Sequence, residues 1–206
     1  RHLLLNVAPL LVFILGIVFN QFGILYFNTV MRHEVFFPVV NTRGNVIGKV
    51  MASEAIGRKN NLIIPIIRIA VTSNGMLFLL PRPKCSVFEK DKTDLLLEGH
   101  LLYQETLEEG AKRILKQTLP TTSTDKLCFN FMYHFQNDTA NRLVYLFTLD
   151  LEDDAPLCNK DFKDGKLWTF RQMEQNLGLN FFSSYLEYEY ENLKEIIYTK
   201  EKYKES

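Results

Sequence analysis

Apolar and polar residues divide the chain into an uncharged N-terminal stretch and a longer part in which short apolar runs alternate with turn residues. Between Leu3 and Met31 no side chain is charged. This stretch is longer than the roughly 20 residues that a bilayer-spanning helix needs. It also lacks the short apolar region and the small-residue cleavage site of a secretory signal. We therefore expect residues 1–33 to form a transmembrane segment with its helix over residues 3–27; a buried core helix is the alternative.

Polar and helix-bending residues within this stretch suggest neighbouring helices. Asn6, Pro9, Asn20 and Gln21 are accommodated more easily where other helices satisfy their polar groups than in a single anchor. Since the chain also begins with Arg1, the segment is interpreted as the last helix of a larger membrane protein. The flanking basic residues are too symmetric to predict its orientation.

The part from residue 34 to 206 has the pattern of one mixed α/β domain. Turn residues separate its apolar runs, and Asn74-Gly75 suits the positive φ angles of a tight hairpin. Thr106 and Glu109 form a capping box that should start a helix, which Pro120 should end. The pattern predicts strands at 35–40, 46–50, 63–72, 76–80, 127–135, 142–149 and 166–170, and further helices at 52–58, 171–177 and 185–204.

Composition narrows the function classes. Lys plus Arg and Asp plus Glu both number 24, which argues against a nucleic-acid-binding surface, since such a surface needs an excess of basic charge. The 47% hydrophobic content is that of a globular protein. Three cysteines stand singly in the sequence, a distribution more typical of a reducing compartment than of a disulfide framework.

Several strings in the domain resemble the Nudix hydrolase superfamily, and in particular its isopentenyl-diphosphate-isomerase-like branch. They are VVNTRGNVIGK, NGMLFLLPRPK, TDLLLEGH, NRLVYLFTL and DGKLWTFRQMEQNLG, in the family's order. The resemblance implies a Nudix-like mixed β-sheet sandwiched between helices over residues 34–206. Isomerase chemistry is not expected, because the family's cysteine in the strand before His100 is replaced by Leu95-Leu96-Leu97.

The family's catalytic box, G-x5-E-x7-R-E-U-x-E-E-x-G-U, is only partly present. Gly99, Glu105 and Arg113 match its G, E and R, and the resemblance implies that the last two brace the loop against the helix. The three metal-binding glutamates are replaced by Ile114, Gln117 and Thr118. Magnesium prefers oxygen ligands that include carboxylates. We therefore expect no metal cofactor, and Mg²⁺ or Mn²⁺ only if the site is rearranged.

A few other residues are candidates for the site. Glu98 is the one carboxylate that could substitute as a catalytic group, although a solvated surface charge is the simpler interpretation. Arg68, Arg82 and Lys84 would supply positive charge to a diphosphate ligand, and His100 lies at a family position near the site. Cys85 and Trp168 are interpreted as structural.

The sequence therefore predicts a membrane-attached, cytoplasmic Nudix-like domain whose metal-dependent pyrophosphohydrolase activity is lost or weakened. Such a domain could still bind a nucleotide or another diphosphate compound. Two alternatives stay open. One is an active hydrolase of nucleoside-diphosphate-linked substrates with a rearranged metal site, and the other is a non-catalytic regulatory appendage of a membrane transporter.

Overall fold

The computed structural model describes residues 12–26, 34–55 and 61–204. The chain divides into two compact units, the first ending at Val35 and the second starting at Phe36. In the first unit, residues 12–26 are helical (α1), and large apolar side chains such as Phe13 and Phe19 are exposed. Among the described residues, no helix combines the length and the apolar character that crossing a membrane requires. The rest of the predicted 3–27 span lies outside the described residues.

The second unit starts with a two-stranded antiparallel sheet. It consists of β1 (Phe36–Val40) and β2 (Val46–Met51), and the short helix α2 (Ala52–Ala55) follows. The Asn41 side chain accepts hydrogen bonds from the backbone of Arg43 and Asn45 and so shapes the turn. Both predicted strands are confirmed. Of the helix predicted over residues 52–58, only the part up to residue 55 lies within the described residues, and it is helical.

A seven-stranded mixed sheet forms the centre of the domain. Its strands run in the order β5-β4-β3-β8-β7, while β6 pairs with β3 and β9 with β4. β3 and β8 are parallel and the other pairs are antiparallel. The strands are β3 (Ile64–Ser73), β4 (Met76–Pro81), β5 (Thr93–Leu95), β6 (Leu97–His100), β7 (Leu127–Gln136), β8 (Asn141–Leu151) and β9 (Lys166–Trp168).

Two turns in this unit show how local sequence sets the boundaries. Asn74 and Gly75 have φ angles of 51° and 72°, as the hairpin prediction requires. The predicted strand over 166–170 is too long, because it ends at Trp168. There the Thr169 side chain accepts the Gln172 backbone N–H in a second capping box, which begins a helix at Phe170 instead.

Helices cover both faces of the sheet. α3 (Leu107–Thr118) begins at the predicted Thr106 capping box and packs on one face with Ile67, Ile69 and Val71 of β3. α4 (Phe170–Glu174) and α5 (Ser184–Lys204) pack on the opposite face. The predicted α/β class with a mixed sheet between helices is confirmed. Every residue of β3 is buried, so a charged residue in this strand needs partners inside the domain.

Candidate functional site

Arg68 lies at the centre of the domain, in the middle of β3, with no exposed side-chain surface. Side chains alternate between the two faces of a strand. Since Ile67 and Ile69 point towards α3, Arg68 points towards α5, where the Tyr185 ring lies 4.7 Å from its guanidinium carbon. A buried guanidinium is stable only when its hydrogen bonds and charge are satisfied.

Three carboxylates from three elements satisfy it. Nε and Nη2 of Arg68 donate to the two oxygens of Glu189 in α5, at 2.8 and 3.0 Å. Nη2 and Nη1 donate to the two oxygens of Asp94 in β5, at 2.6 and 3.3 Å. Nη1 also donates to Glu98, which lies directly opposite Arg68 on β6. All of its N–H groups are therefore used.

Arg82, immediately after β4, joins the same group of charges. Its Nη1 donates to Asp94 at 2.6 Å, and its Nη2 donates to Glu98 at 3.0 Å. Its Nε donates to the backbone oxygen of Phe88, at 3.0 Å, and its side chain is only 12% exposed. We call Arg68, Arg82, Asp94, Glu98 and Glu189 the charge cluster.

The three carboxylates outnumber the two guanidinium groups, and the pKa values reflect this. Burial would raise the pKa of Asp94 and of Glu98, but the two arginines outweigh it and hold both pKa values below the usual range. For Glu189 burial dominates and raises the pKa. The Tyr133 hydroxyl donates to Glu189 at 2.6 Å. Glu189 is therefore the member of the charge cluster that most readily takes up a proton.

The geometry corrects the expectation that Arg68 offers charge to a ligand. Its side chain is fully buried, and carboxylates accept all of its hydrogen bonds. The Arg82 side chain is also mostly buried and mostly bonded to carboxylates, whereas Lys84 is exposed. The expected positive charge is thus mostly neutralised within the domain, because carboxylates from β5, β6 and α5 accept the hydrogen bonds of Arg68 and most of those of Arg82.

Glu98 is likewise committed to structure. Its carboxylate is 25% exposed and bridges Arg68 and Arg82. A carboxylate whose pKa is lowered in this way is a weak base. The interpretation of Glu98 as a solvated surface charge is wrong, because both arginines hold it, and its predicted catalytic role gains no support from this geometry.

The loop before α3 is braced by an ion pair. Arg113 donates through Nε and Nη2 to the two oxygens of Glu105, at 2.6 and 2.8 Å, and through Nη2 to the backbone oxygen of His100 at 2.8 Å. Glu105 also accepts the Leu102 backbone N–H at 2.9 Å. The contacts are those that the resemblance implies for this pair, and they tie β6, the loop and α3 together.

The three positions at which the family has glutamates do not form an open metal-binding face. Ile114 is 3% exposed and belongs to the core between α3 and the sheet. A Cβ atom added at Gly99 would lie 2.8 Å from the side chain of Ile114, so the two residues are in close contact. Gln117 is exposed and Thr118 is half-buried. These side chains offer no carboxylate, so they do not fit Mg²⁺. Within the described residues, no group of acidic, His or Cys side chains could hold a metal ion.

His100 packs against the β1–β2 hairpin. Its ring stacks on Phe37 with a centroid distance of 4.3 Å and an interplanar angle of 6°. Burial, with smaller contributions from Arg142 and Arg113, lowers the pKa of His100 to about 4. His100 is therefore a neutral packing residue at physiological pH, which does not favour its predicted contact with an anionic ligand.

The sequence interpretation missed two members of the charge cluster and its tyrosine. In the sequence Asp94 stands out only as part of the string TDLLLEGH, and Glu189 and Tyr133 lie in segments whose pattern predicts secondary structure alone. One signal was present: Leu186, Tyr190, Leu193 and Ile197 recur at helical spacing on the buried side of α5. Glu189 lies next to that stripe, so it could have been recognised as a buried carboxylate.

Comparison with known proteins gives the fold a name. The chain matches no protein-family model, and no curated protein matches it. Among solved structures, a protein of Deinococcus radiodurans superposes with a TM-score of 0.60 at 17% identity, covering 77% of this chain and 98% of that one. The MutT protein of Methanosarcina mazei superposes with a TM-score of 0.51 at 17% identity, covering 65% and 94%. The domain has the Nudix fold.

We expect Arg68→Met to destabilise the domain by about 3–5 kcal/mol, because it leaves the buried carboxylates of Asp94 and Glu189 without their main partner. Thermal or urea unfolding measures the change. Lys112→Ala is the matched control, since it breaks the exposed pair between Lys112 and Glu108 and should leave stability nearly unchanged. Equal effects of the two variants would show that the charge cluster does not hold the sheet and α5 together.

Glu105→Gln and Arg113→Met should each destabilise the domain by about 1–3 kcal/mol, since the pair is mostly buried and each partner is left unpaired. The double variant should cost less than the sum of the two. Unfolding of all four proteins gives the coupling energy. Additive effects would mean that the brace is absent in solution.

The stability contributed by His100 should fall as the pH is lowered from about 6.5 to about 4, whereas Glu189, whose pKa is raised by burial, acts in the opposite direction. The pKa of His100 is near 6.5 when unfolded and about 4 when folded, so across this window the unfolded chain binds the extra proton. Asp94 and Glu98, with lowered pKa values, lose their contribution only at still lower pH. Unfolding at a series of pH values tests this. In His100→Gln the slope between pH 6.5 and 4 should be much smaller, and an unchanged slope would assign it to other groups.

Proposed function

We propose that this chain carries a Nudix-fold domain that does not cleave diphosphates by the metal-dependent reaction, and that its N-terminal apolar segment attaches it to a membrane. The observation that carries the first part is the position of Ile114. The resemblance puts a metal-binding glutamate there, but in this chain the side chain is packed into the core against Gly99.

A divalent ion in such a site positions the substrate, activates water and neutralises developing charge. Gln117 and Thr118 supply only neutral oxygens, and Lys116 beside them, whose ammonium donates to backbone oxygens of Pro120 and Thr122, disfavours a cation. Glu98 could become a ligand only by leaving Arg68 and Arg82. The residues of the helix and those of the charge cluster therefore both argue against hydrolysis.

Ligand binding without cleavage remains a proposal restricted to the edge of the charge cluster. A nucleotide or other diphosphate compound would meet Lys84 and the small exposed part of Arg82 there, and not Arg68. The alternative of a non-catalytic regulatory appendage is favoured by the same geometry, because the carboxylates already occupy the donors that a phosphate would use.

The membrane part of the proposal is supported by the N-terminal residues. The described residues of α1 expose large apolar side chains, among them Val12, Phe19, Phe22 and Leu25. Apolar surface of this extent is unfavourable in water. The cytoplasmic placement is supported by the three cysteines, all of which are free and exposed.

The deciding measurement is phosphate release from nucleoside and isoprenoid diphosphates, with Mg²⁺ or Mn²⁺ and without metal. We expect equal, background rates in both conditions, since losing the metal costs more than the roughly 10²–10³-fold of a single missing electrostatic donor. Metal-dependent turnover would refute the proposal. In that case Glu98→Gln would show whether a rearranged site uses Glu98.

A matched pair of variants separates the charge of the helix from its packing. Gln117→Glu with Thr118→Glu adds two carboxylates at positions that are not buried, and should increase Mn²⁺ binding while preserving the fold. Ile114→Glu places a charge in the core and should destabilise the domain. If Ile114→Glu is as stable as the wild type, the position is open and the closed-site argument is wrong.

A further inference from the structure

Two loops at one end of the domain are joined into a single surface. Residues 82–92 connect β4 to β5, and residues 175–183 connect α4 to α5. The Thr93 N–H donates to the Phe181 oxygen at 3.1 Å, and the Ser183 N–H donates to the Thr93 oxygen at 3.0 Å. Lys92 donates to the backbone oxygen of Asn180. We call the exposed part of these residues the loop surface.

The loop surface exposes apolar side chains at its tips. Val87 is 71% exposed, Leu179 is 68% exposed and Phe181 is 40% exposed. Behind them the buried Trp168 ring packs 5.7 Å from the Phe181 ring. Large exposed apolar side chains on two loops that are hydrogen-bonded to each other are unusual in water and mark a contact surface.

Lysines surround these apolar tips. Lys84, Lys90 and the neighbouring Lys166 are exposed, and Lys92 is half-buried. The nearby acidic side chain of Glu89 points away from the surface, because its carboxylate accepts the backbone N–H and the hydroxyl of Ser184 at the start of α5. Asp91 is the one exposed carboxylate among the described residues of the loop surface, against the three exposed lysines, so its net outward charge is positive.

The backbone of both loops is held in conformations that cost energy. Glu89, Asp91 and Asn180 have positive φ angles of 41°, 66° and 60°. Such angles are uncommon for residues other than glycine and persist where surrounding contacts enforce them. The bonds between Glu89 and Ser184 and between Lys92 and Asn180 hold the loops that carry the exposed tips.

We propose that the loop surface binds the headgroup region of an anionic lipid bilayer. Protruding apolar tips surrounded by lysines are complementary to such a bilayer, because the tips enter the interface while the ammonium groups meet acidic headgroups. The inference deepens the proposed function, since it rests on a membrane tether that keeps the domain close to the lipid. It also predicts which end of the domain faces the bilayer.

The chain offers its own probe for this contact. Cys85 lies within the loop surface and is exposed, while Cys158 is exposed beside the turn that follows β8. A spin label on Cys85 in a Cys128→Ser, Cys158→Ser background reports on the loop surface. The matched control carries the label on Cys158 in a Cys85→Ser, Cys128→Ser background. Both are full chains, reconstituted in vesicles of phosphatidylcholine with or without phosphatidylserine.

Collision with oxygen and with a water-soluble nickel complex measures the depth of each label. With phosphatidylserine, the Cys85 label should become more accessible to oxygen and less accessible to nickel, while the Cys158 label stays unchanged. Each of Lys84→Gln and Lys90→Gln should lower the ratio of lipid-bound to free loop surface about fivefold. A Cys85 label that stays accessible to nickel overturns the proposal. So does a label that is immobilised without gaining oxygen contact, which would indicate contact with a second copy of this chain.

Flotation with pure phosphatidylcholine vesicles after alkaline washing tests the tether separately. If the chain does not float but the Cys85 label still responds to phosphatidylserine, the tether is wrong and the loop surface stands. If the chain floats and the label does not respond, the tether stands and the inference drawn here is wrong.

Discussion

A guanidinium group without access to water, that of Arg68, is the constraint on which the arrangement of this domain depends. Its five N–H groups donate five hydrogen bonds to Asp94, Glu98 and Glu189, and so connect β3 to β5, β6 and α5. Breaking a buried ion pair by removing one partner is much more costly than breaking an exposed pair, because the remaining charge stays in a medium of low polarity. Two short strands and the C-terminal helix therefore have to meet at one point.

The same constraint limits what this side of the sheet can do. An arginine that recognises phosphate must have donors free to form charge-assisted hydrogen bonds with the ligand. In this domain the donors of Arg68, and most of those of Arg82, are used by carboxylates. The Tyr185 ring and the Phe88 ring, 4.5 Å apart, lie beside the charge cluster. The charge cluster is a structural connection between the sheet and α5.

On the other face of the sheet, the packing of Ile114 limits what the site can bind, as the paired charges do on the first face. The ion pair of Glu105 and Arg113 holds the loop before α3 against the helix, as the resemblance implies. Ile114 then fills the space over Gly99 with a branched apolar side chain. A core position of this kind is stabilised by burial, whereas a metal site needs an open, charged position. The two uses of residue 114 exclude each other, which supports the proposal that this domain keeps the fold without a metal-binding face.

The sequence by itself determined most of the secondary structure. Alternation of apolar residues, Asn74-Gly75 and the Thr106 capping box are local signals, and local hydrogen bonding and side-chain sterics decide them. It also determined that positions 114, 117 and 118 lack carboxylates. Only the tertiary structure decided which charges are paired. Arg68 and Glu189 are 121 residues apart in the chain, and no periodicity links a central strand to a helix at the end of the chain. The electrostatic state of a buried group depends on neighbours in space, so it emerges only when the sheet and α5 have come together.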